Sequence, residues 1–170
     1  TITMDRKEFL TAMGGLALFT IVPSKVLGGE RHIAPSDQLT KGIIGVGGIG
    51  RTSLHFTNDE ACRLTAICDV DSKHLDAAKQ QAKEKLGIEV NTYHNYRDLI
   101  NDPNVDIVHI ATPPHWHGVM AVEAAMAGKD IMCEKPMTRT IWEGKKVMAA
   151  VRQNGRIFRL DPWFRFKATF

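Results

Sequence analysis

Cysteine is scarce in this chain of 170 residues: Cys62, Cys68 and Cys133 are an odd count with no CxxC pair. That argues against a disulfide framework or a zinc cluster and leaves them as small, buried apolar filler. One-sided charge is missing too. Lys plus Arg number 22 against 19 Asp plus Glu, and the net +3 is nowhere gathered into a basic block. Nucleic acid is therefore not an expected partner. A membrane span needs roughly 20 apolar residues, whereas the run Met13 to Val22 is broken by Gly14, Gly15 and Thr20 and closed by Pro23. No stable span is expected from it. Internal repeats and low-complexity tracts are absent as well. What remains is 44% hydrophobic and 24% charged, an ordinary globular composition of a length that predicts one domain around one core.

The first 28 residues differ from the rest. Asp5-Arg6-Lys7-Glu8-Phe9-Leu10 precedes the short apolar stretch, which is the layout of a secretory leader; the alternative is an N-terminal amphipathic helix of the mature fold. The segment resembles a twin-arginine export signal, Arg-Arg-x-Phe-Leu, with Lys7 standing where the second arginine belongs and no clean small-x-small cleavage site after it. An exported, periplasmic protein is expected if this leader works, and a cytoplasmic one if it does not. Residues 29–40, with Pro35 and the polar Ser36-Asp37-Gln38, read as a linker.

From Lys41 onward, apolar runs alternate with amphipathic stretches, the signature of a parallel sheet wrapped by helices. Strands are predicted over Ile43–Val46, Leu64–Val70, Val90–Tyr93, Val105–Ala111, Asp130–Cys133 and Ile157–Leu160. Helices are predicted over Arg51–Asn58, from a cap at Ser72 to a stop at Gly87, and over Tyr96–Asn101, His117–Ala127 and Thr140–Gln153. The order predicts a doubly wound α/β fold over residues 41–160.

Gly45-Val46-Gly47-Gly48-Ile49-Gly50 is G-x-G-x-x-G where the first strand turns into the first helix. In that position Gly45 makes the tight turn, Gly47 lets a pyrophosphate approach the backbone, and Gly50 lets helix and strand pack closely. Asp69 stands 19 residues after Gly50, near the spacing of about 20 at which an acid receives the ribose hydroxyls. A carboxylate there favours NAD over NADP. Asp71 competes for the role but, beside Ser72, reads equally as a helix-start charge; Arg51 and Lys73 soften the preference, so NADP stays open.

Two further turns fall at the carboxyl edge of predicted strands, where open sheets bind ligands. Thr112-Pro113-Pro114-His115-Trp116-His117 follows the fourth, and His117 is read as a helix-start residue touching the cofactor. No third ligand has plausible spacing to the His115/His117 pair, so no metal is expected. His55, His74, His94 and His109 are assigned structural roles. Glu134-Lys135-Pro136 follows the fifth strand; a lysine desolvated beside a positive nicotinamide ring can move protons near neutral pH.

Together the glycine turn, Cys68-Asp69-Val70-Asp71, Ala111-Thr112-Pro113-Pro114-His115-Trp116-His117 and Glu134-Lys135-Pro136 resemble the Gfo/Idh/MocA oxidoreductases, over residues 41 to about 166. The resemblance implies that Gly45, Gly47, Gly48, Ile49 and Gly50 hold the pyrophosphate and Asp69 the ribose. Thr112, Pro113 and His117 would hold the middle of the cofactor, Glu134 and Lys135 would border the nicotinamide, and Arg165 would lie near the cofactor. It also implies a cis bond before Pro136, Lys135 as first and His117 as second candidate for proton handling, and hydride transfer to or from a sugar or polyol. Exported relatives of this kind include redox glycosidases, an exception to the two-carboxylate rule; a non-catalytic dinucleotide-binding module is the remaining alternative. Members of the family continue into a second domain that serves homo-oligomer contacts. Residues 161–170, with Trp163, Phe164, Phe166 and Phe170, are expected to begin that domain, and turnover by these residues alone is expected to be poor.

Overall fold

The computed structural model describes residues 33–34, 37–54 and 61–161. The chain divides into two compact units after Ser36, and the sheet belongs entirely to the second. The leader expected at 1–28, Arg165 and the terminal aromatic residues lie outside the described residues.

Six strands, β1 (Leu39–Ile44), β2 (Cys62–Cys68), β3 (Asn91–Tyr93), β4 (Ile107–Ile110), β5 (Asp130–Glu134) and β6 (Phe158–Asp161), form one sheet in the order β3-β2-β1-β4-β5-β6. Every pairing is parallel. Parallel strands require crossovers, and the connections supply them: α1 (Ile49–Ser53), α2 (Ser72–Gln81), α3 (Tyr96–Asn101), α4 (Pro114–Met126) and α5 (Ile141–Gln153). The order reverses between β1 and β4, which opens a crevice at their carboxyl ends, the doubly wound arrangement.

Side chains alternate across a strand, so neighbours in sequence serve opposite cores. Ile43 packs with Leu64 and Ile67 under Leu75, Ala78 and Ala82, whereas Ile44 packs with Val108, Ile110 and Cys133 under α3, α4 and α5. The central strands are therefore apolar on both faces over most of their length, as a sheet covered on both sides must be.

Local chemistry sets the helix ends. Thr140 and Glu143 form a reciprocal capping box at the start of α5, the Thr-x-x-Glu spacing that satisfies two orphan donors at once. Asn95 caps α3 by accepting from Arg97 N–H. The cap of α2 is Asp71, whose side chain accepts from Lys73 N–H, rather than Ser72, which is the first helical residue. A carboxylate suits that position because it also meets the positive end of the helix dipole. After Gln81 the helix widens into a π turn, Ala82–Leu86, that ends on Gly87 in the left-handed region.

Most expected elements are present with shifted ends. β1 starts at Leu39, inside the expected linker, and ends at Ile44, so Gly45 and Val46 belong to the turn. β2 stops at Cys68, which places Asp69 beyond the strand, and α4 starts at Pro114 instead of His117. Proline at the first helical position explains the last shift, since its missing N–H is not needed there. No helix among the described residues is long and apolar enough to cross a membrane.

Candidate functional site

The crevice is built on the turn between β1 and α1. Gly45 has φ +90, and a Cβ placed on it would stand 2.8 Å from the carbonyl oxygen of Ala111. Two ladder bonds clamp the position: Gly45 N–H donates to Cys68 O and Ala111 N–H to Ile44 O, both at 2.8 Å. A Cβ on Gly50 would collide with the carbonyl oxygen of Gly45, so this glycine lets α1 pack against its own turn. Around Gly48 the space is open, with no atom within 4 Å of a built Cβ. The N–H groups of Gly47, Gly48, Ile49 and Gly50 have no acceptor among the described residues, as the first donors of a helix lack partners. Four free donors around a surface bare of side chains except Ile49 suit a diphosphate.

Asp69 is turned into that crevice. It is 9% exposed, and its Oδ2 accepts from Val46 N–H at 2.8 Å while Oδ1 accepts from Asp71 N–H at 3.0 Å. Two backbone donors fix the carboxylate, and each oxygen keeps lone pairs for further hydroxyl donors. Asp71 is occupied as the cap of α2, with its carboxyl held below the usual range first by the Lys73 N–H bond. Asp69 is thus the ribose candidate of the pair. A cavity of about 490 Å³ opens beside it, lined by Gly45, Asp69, His94, Tyr96, Thr112 and Trp116 among others. Such a volume, mostly apolar and bordered by a few polar groups, suits a heteroaromatic base with its sugar.

His117 braces the far side. It is 1% exposed, with Nε2 2.7 Å from Thr112 O and Nδ1 2.7 Å from Pro136 O. A neutral ring donates to one carbonyl; the imidazolium donates to both. In either form it ties the turn after β4 to the turn after β5. Both nitrogens are taken up by backbone, so the proton-handling role expected for His117 gives way to holding Thr112 and Pro136 in place. The Lys135–Pro136 bond is cis. Pro113 is exposed, and so is Lys135; the desolvation expected at its ammonium is not supplied by this part of the chain and needs a bound cofactor or substrate.

Two histidines do more than the sequence pattern assigns them. The His74 ring lies over Gly47, with Nδ1 2.5 Å from a built Cβ and 3.7 Å from Asp69 Oδ1. Its signal was its place in the first turn of the helix that follows Asp69. His109 is fully buried with Nε2 3.8 Å from Oε1 of Glu134, itself 5% exposed. Burial, the largest influence, holds the His109 imidazole below its ordinary pKa. Asp161 completes a group of three whose donor atoms all lie within 4.8 Å of one another. Periodicity cannot reveal this group, because its members come from three separate strands.

The chain matches the model of the Gfo/Idh/MocA oxidoreductase family, NAD-binding Rossmann fold, over residues 39–161. It is 46% identical over 114 residues to glycosyl hydrolase family 109 protein 2 of Shewanella sp. (strain ANA-3), covering 63% of this chain and 25% of that protein. To inositol 2-dehydrogenase of Salmonella typhimurium it is 34% identical over 120 residues, covering 69% and 34%. Among solved structures, myo-inositol 2-dehydrogenase from Lactobacillus plantarum superposes with a TM-score of 0.67 at 32% identity, over 78% of this chain and 38% of that one. Scyllo-inositol dehydrogenase from Lactobacillus casei, with bound NAD(H) and scyllo-inositol, gives 0.65 at 27%, over 77% and 38%. The chain thus spans a quarter to a third of the length of these curated relatives.

Proposed function

The chain belongs to the Gfo/Idh/MocA oxidoreductases as an NAD-binding Rossmann domain, and from that premise we propose that it is the cofactor-binding part of an enzyme that moves a hydride between NAD and a sugar or cyclic polyol. The observation that carries this reading is the Asp69 carboxylate, held by Val46 N–H inside the glycine turn and facing the cavity.

When bound, the nicotinamide supplies the hydride acceptor. The chain's own residues bind and orient it. The free N–H groups from Gly47 to Gly50 take the diphosphate, Asp69 accepts from the ribose hydroxyls, and its charge disfavours the 2′-phosphate of NADP. Thr112 and Pro113 border the middle of the cofactor, and the His117 brace sets the spacing between that turn and the cis turn. Lys135, exposed at the same edge, holds the proton leaving a substrate hydroxyl. Lys135→Ala in the longest polypeptide that carries this chain should lower the NADH formed from a panel of inositols and aldoses far more than it weakens NAD binding; equal, small losses in both would favour a binding module without catalysis.

A second reading rests on the 46% identity to a glycosyl hydrolase family 109 protein: transient oxidation of a glycoside by NAD, elimination of the aglycone as its alcohol, addition of water to the unsaturated ketone so formed, and return of the hydride. Release of a phenol from an aryl glycoside without accumulation of NADH selects it over net oxidation. Export to the periplasm and homo-oligomerisation through further sequence complete the proposal. The first is supported by Arg6-Lys7-Glu8-Phe9-Leu10 and tested by fractionating cells that express a variant with Arg6 and Lys7 both changed to Gln, which should stay in the cytoplasm. The second is tested by sedimentation of the longer polypeptide.

A further inference from the structure

The sheet face opposite the main core carries, at its carboxyl edge, a polar cluster of which the cofactor resemblance takes up Glu134 alone. In β4, β5 and β6, His109 stands opposite Met132 and Glu134 opposite Asp161. Alternation therefore puts His109, Glu134 and Asp161 on one face of three adjacent strands. One donor atom of each lies within 4.8 Å of the other two. At 3.8 Å, His109 Nε2 and Glu134 Oε1 are too far apart for a hydrogen bond.

Both ring nitrogens of His109 and Oε2 of Glu134 are buried with no hydrogen-bond partner. Buried polar atoms are almost always paired, so unpartnered atoms on two neighbouring residues of this group point to a missing partner. Two carboxylates this close also repel unless positive charge is present. Lys41 supplies one ammonium on the same face, with Nζ 3.4 Å from Met132 Sδ.

We propose that His109, Glu134 and Asp161 form a binding site for a divalent transition-metal ion of the zinc and manganese type, seated between β4, β5 and β6 beneath the turn that carries Lys135. One imidazole nitrogen and two carboxylate oxygens suit these ions, and three protein ligands leave further positions for water. Metal–ligand distances of about 2.0–2.2 Å require the donors to draw together. Asp161, half-buried at the end of its strand, has the freedom to do so. An ion there would tie three strand ends together and fix Glu134, and with it the cis turn. Neither the glycine turn nor Asp69 contributes a ligand, so failure of the metal site leaves the diphosphate and ribose contacts of the NAD reading in place.

The test uses the whole chain, stripped with a chelator and free of dinucleotide. Zn²⁺ is titrated by calorimetry and Co²⁺ by visible absorption. One ion per chain should bind, with a rise in melting temperature. His109→Gln should abolish binding, and Asp161→Asn, at a partly exposed position that spares the core, should weaken it at least tenfold. His115→Gln, at the exposed start of α4, should bind as the parent does. Absence of one-to-one binding would overturn the proposal, as would undiminished affinity in Asp161→Asn or loss of binding in His115→Gln alone.

Discussion

Replacing Gly45 by alanine tests the turn on which the crevice rests. The residue has φ +90, and a new Cβ would stand 2.8 Å from Ala111 O and 2.9 Å from its carbonyl carbon. Holding a non-glycine residue at such a φ costs about 1–3 kcal/mol. Forcing an extra methyl against fixed backbone adds roughly 1–3 kcal/mol. Neither neighbour can yield cheaply, because the bonds from Gly45 N–H to Cys68 O and from Ala111 N–H to Ile44 O clamp both sides. The sum, about 2–6 kcal/mol, is a large share of the 5–15 kcal/mol typical of a domain. Urea unfolding followed by circular dichroism reads it directly. Val70→Ala is the control, since its side chain is 88% exposed, and it should stay within about 0.5 kcal/mol of the parent. A Gly45→Ala protein as stable as the parent would refute the account of the turn.

Other outcomes follow from the same geometry. Gly47→Ala meets only the half-exposed His74 ring, so it should fold with a loss under about 1 kcal/mol yet bind NAD at least tenfold more weakly. That is a combination opposite to the effect of a core lesion, read by melting and titration together. Burial raises the thiol pKa values of Cys68 and Cys133 to about 12, so iodoacetamide at mildly alkaline pH should label the half-buried Cys62 first in the native protein and all three only after unfolding. In chelator-treated protein, His109 has a folded pKa lowered by burial. Above the unfolded value of about 6.5 it contributes no pH dependence. Below it the unfolded chain binds a proton that the folded chain refuses, and stability falls by up to about 1.4 kcal/mol per pH unit. His109→Gln should flatten this acid limb in pH-dependent urea unfolding; an unchanged slope would remove His109 as its cause. His117→Ala should remove the ring that stands 2.7 Å from both Thr112 O and Pro136 O, cost roughly 1–3 kcal/mol in urea unfolding for each buried bond lost, and weaken NAD binding as well.

The glycine turn and the placement of Asp69 beside it were legible because both are local: a strand-end glycine at positive φ and an acid just after the neighbouring strand are set by the backbone of two adjacent strands. The cis bond before Pro136 was legible only through the family resemblance. Strand ends were misjudged where apolar residues run past the last ladder bond, as at Val46 and Val70, since hydrophobicity marks burial and not pairing. Asp71 was legible as a helix-start charge, but the cap itself went to Ser72, because both are good caps and only the φ, ψ values choose between them. His117 as a brace, His74 over Gly47 and the His109–Glu134–Asp161 group depend on contacts between segments far apart in sequence or on side-chain direction, which no local pattern encodes.

The central claim is that the glycine turn and Asp69 together hold NAD. Calorimetric titration of the whole chain with NAD and NADP tests it most directly. The account predicts one NAD per chain, NADP at least tenfold weaker, and in Asp69→Asn a tenfold or greater loss of NAD affinity with the gap to NADP narrowed. No binding of NAD by the parent, or Asp69→Asn binding it as tightly, would contradict it.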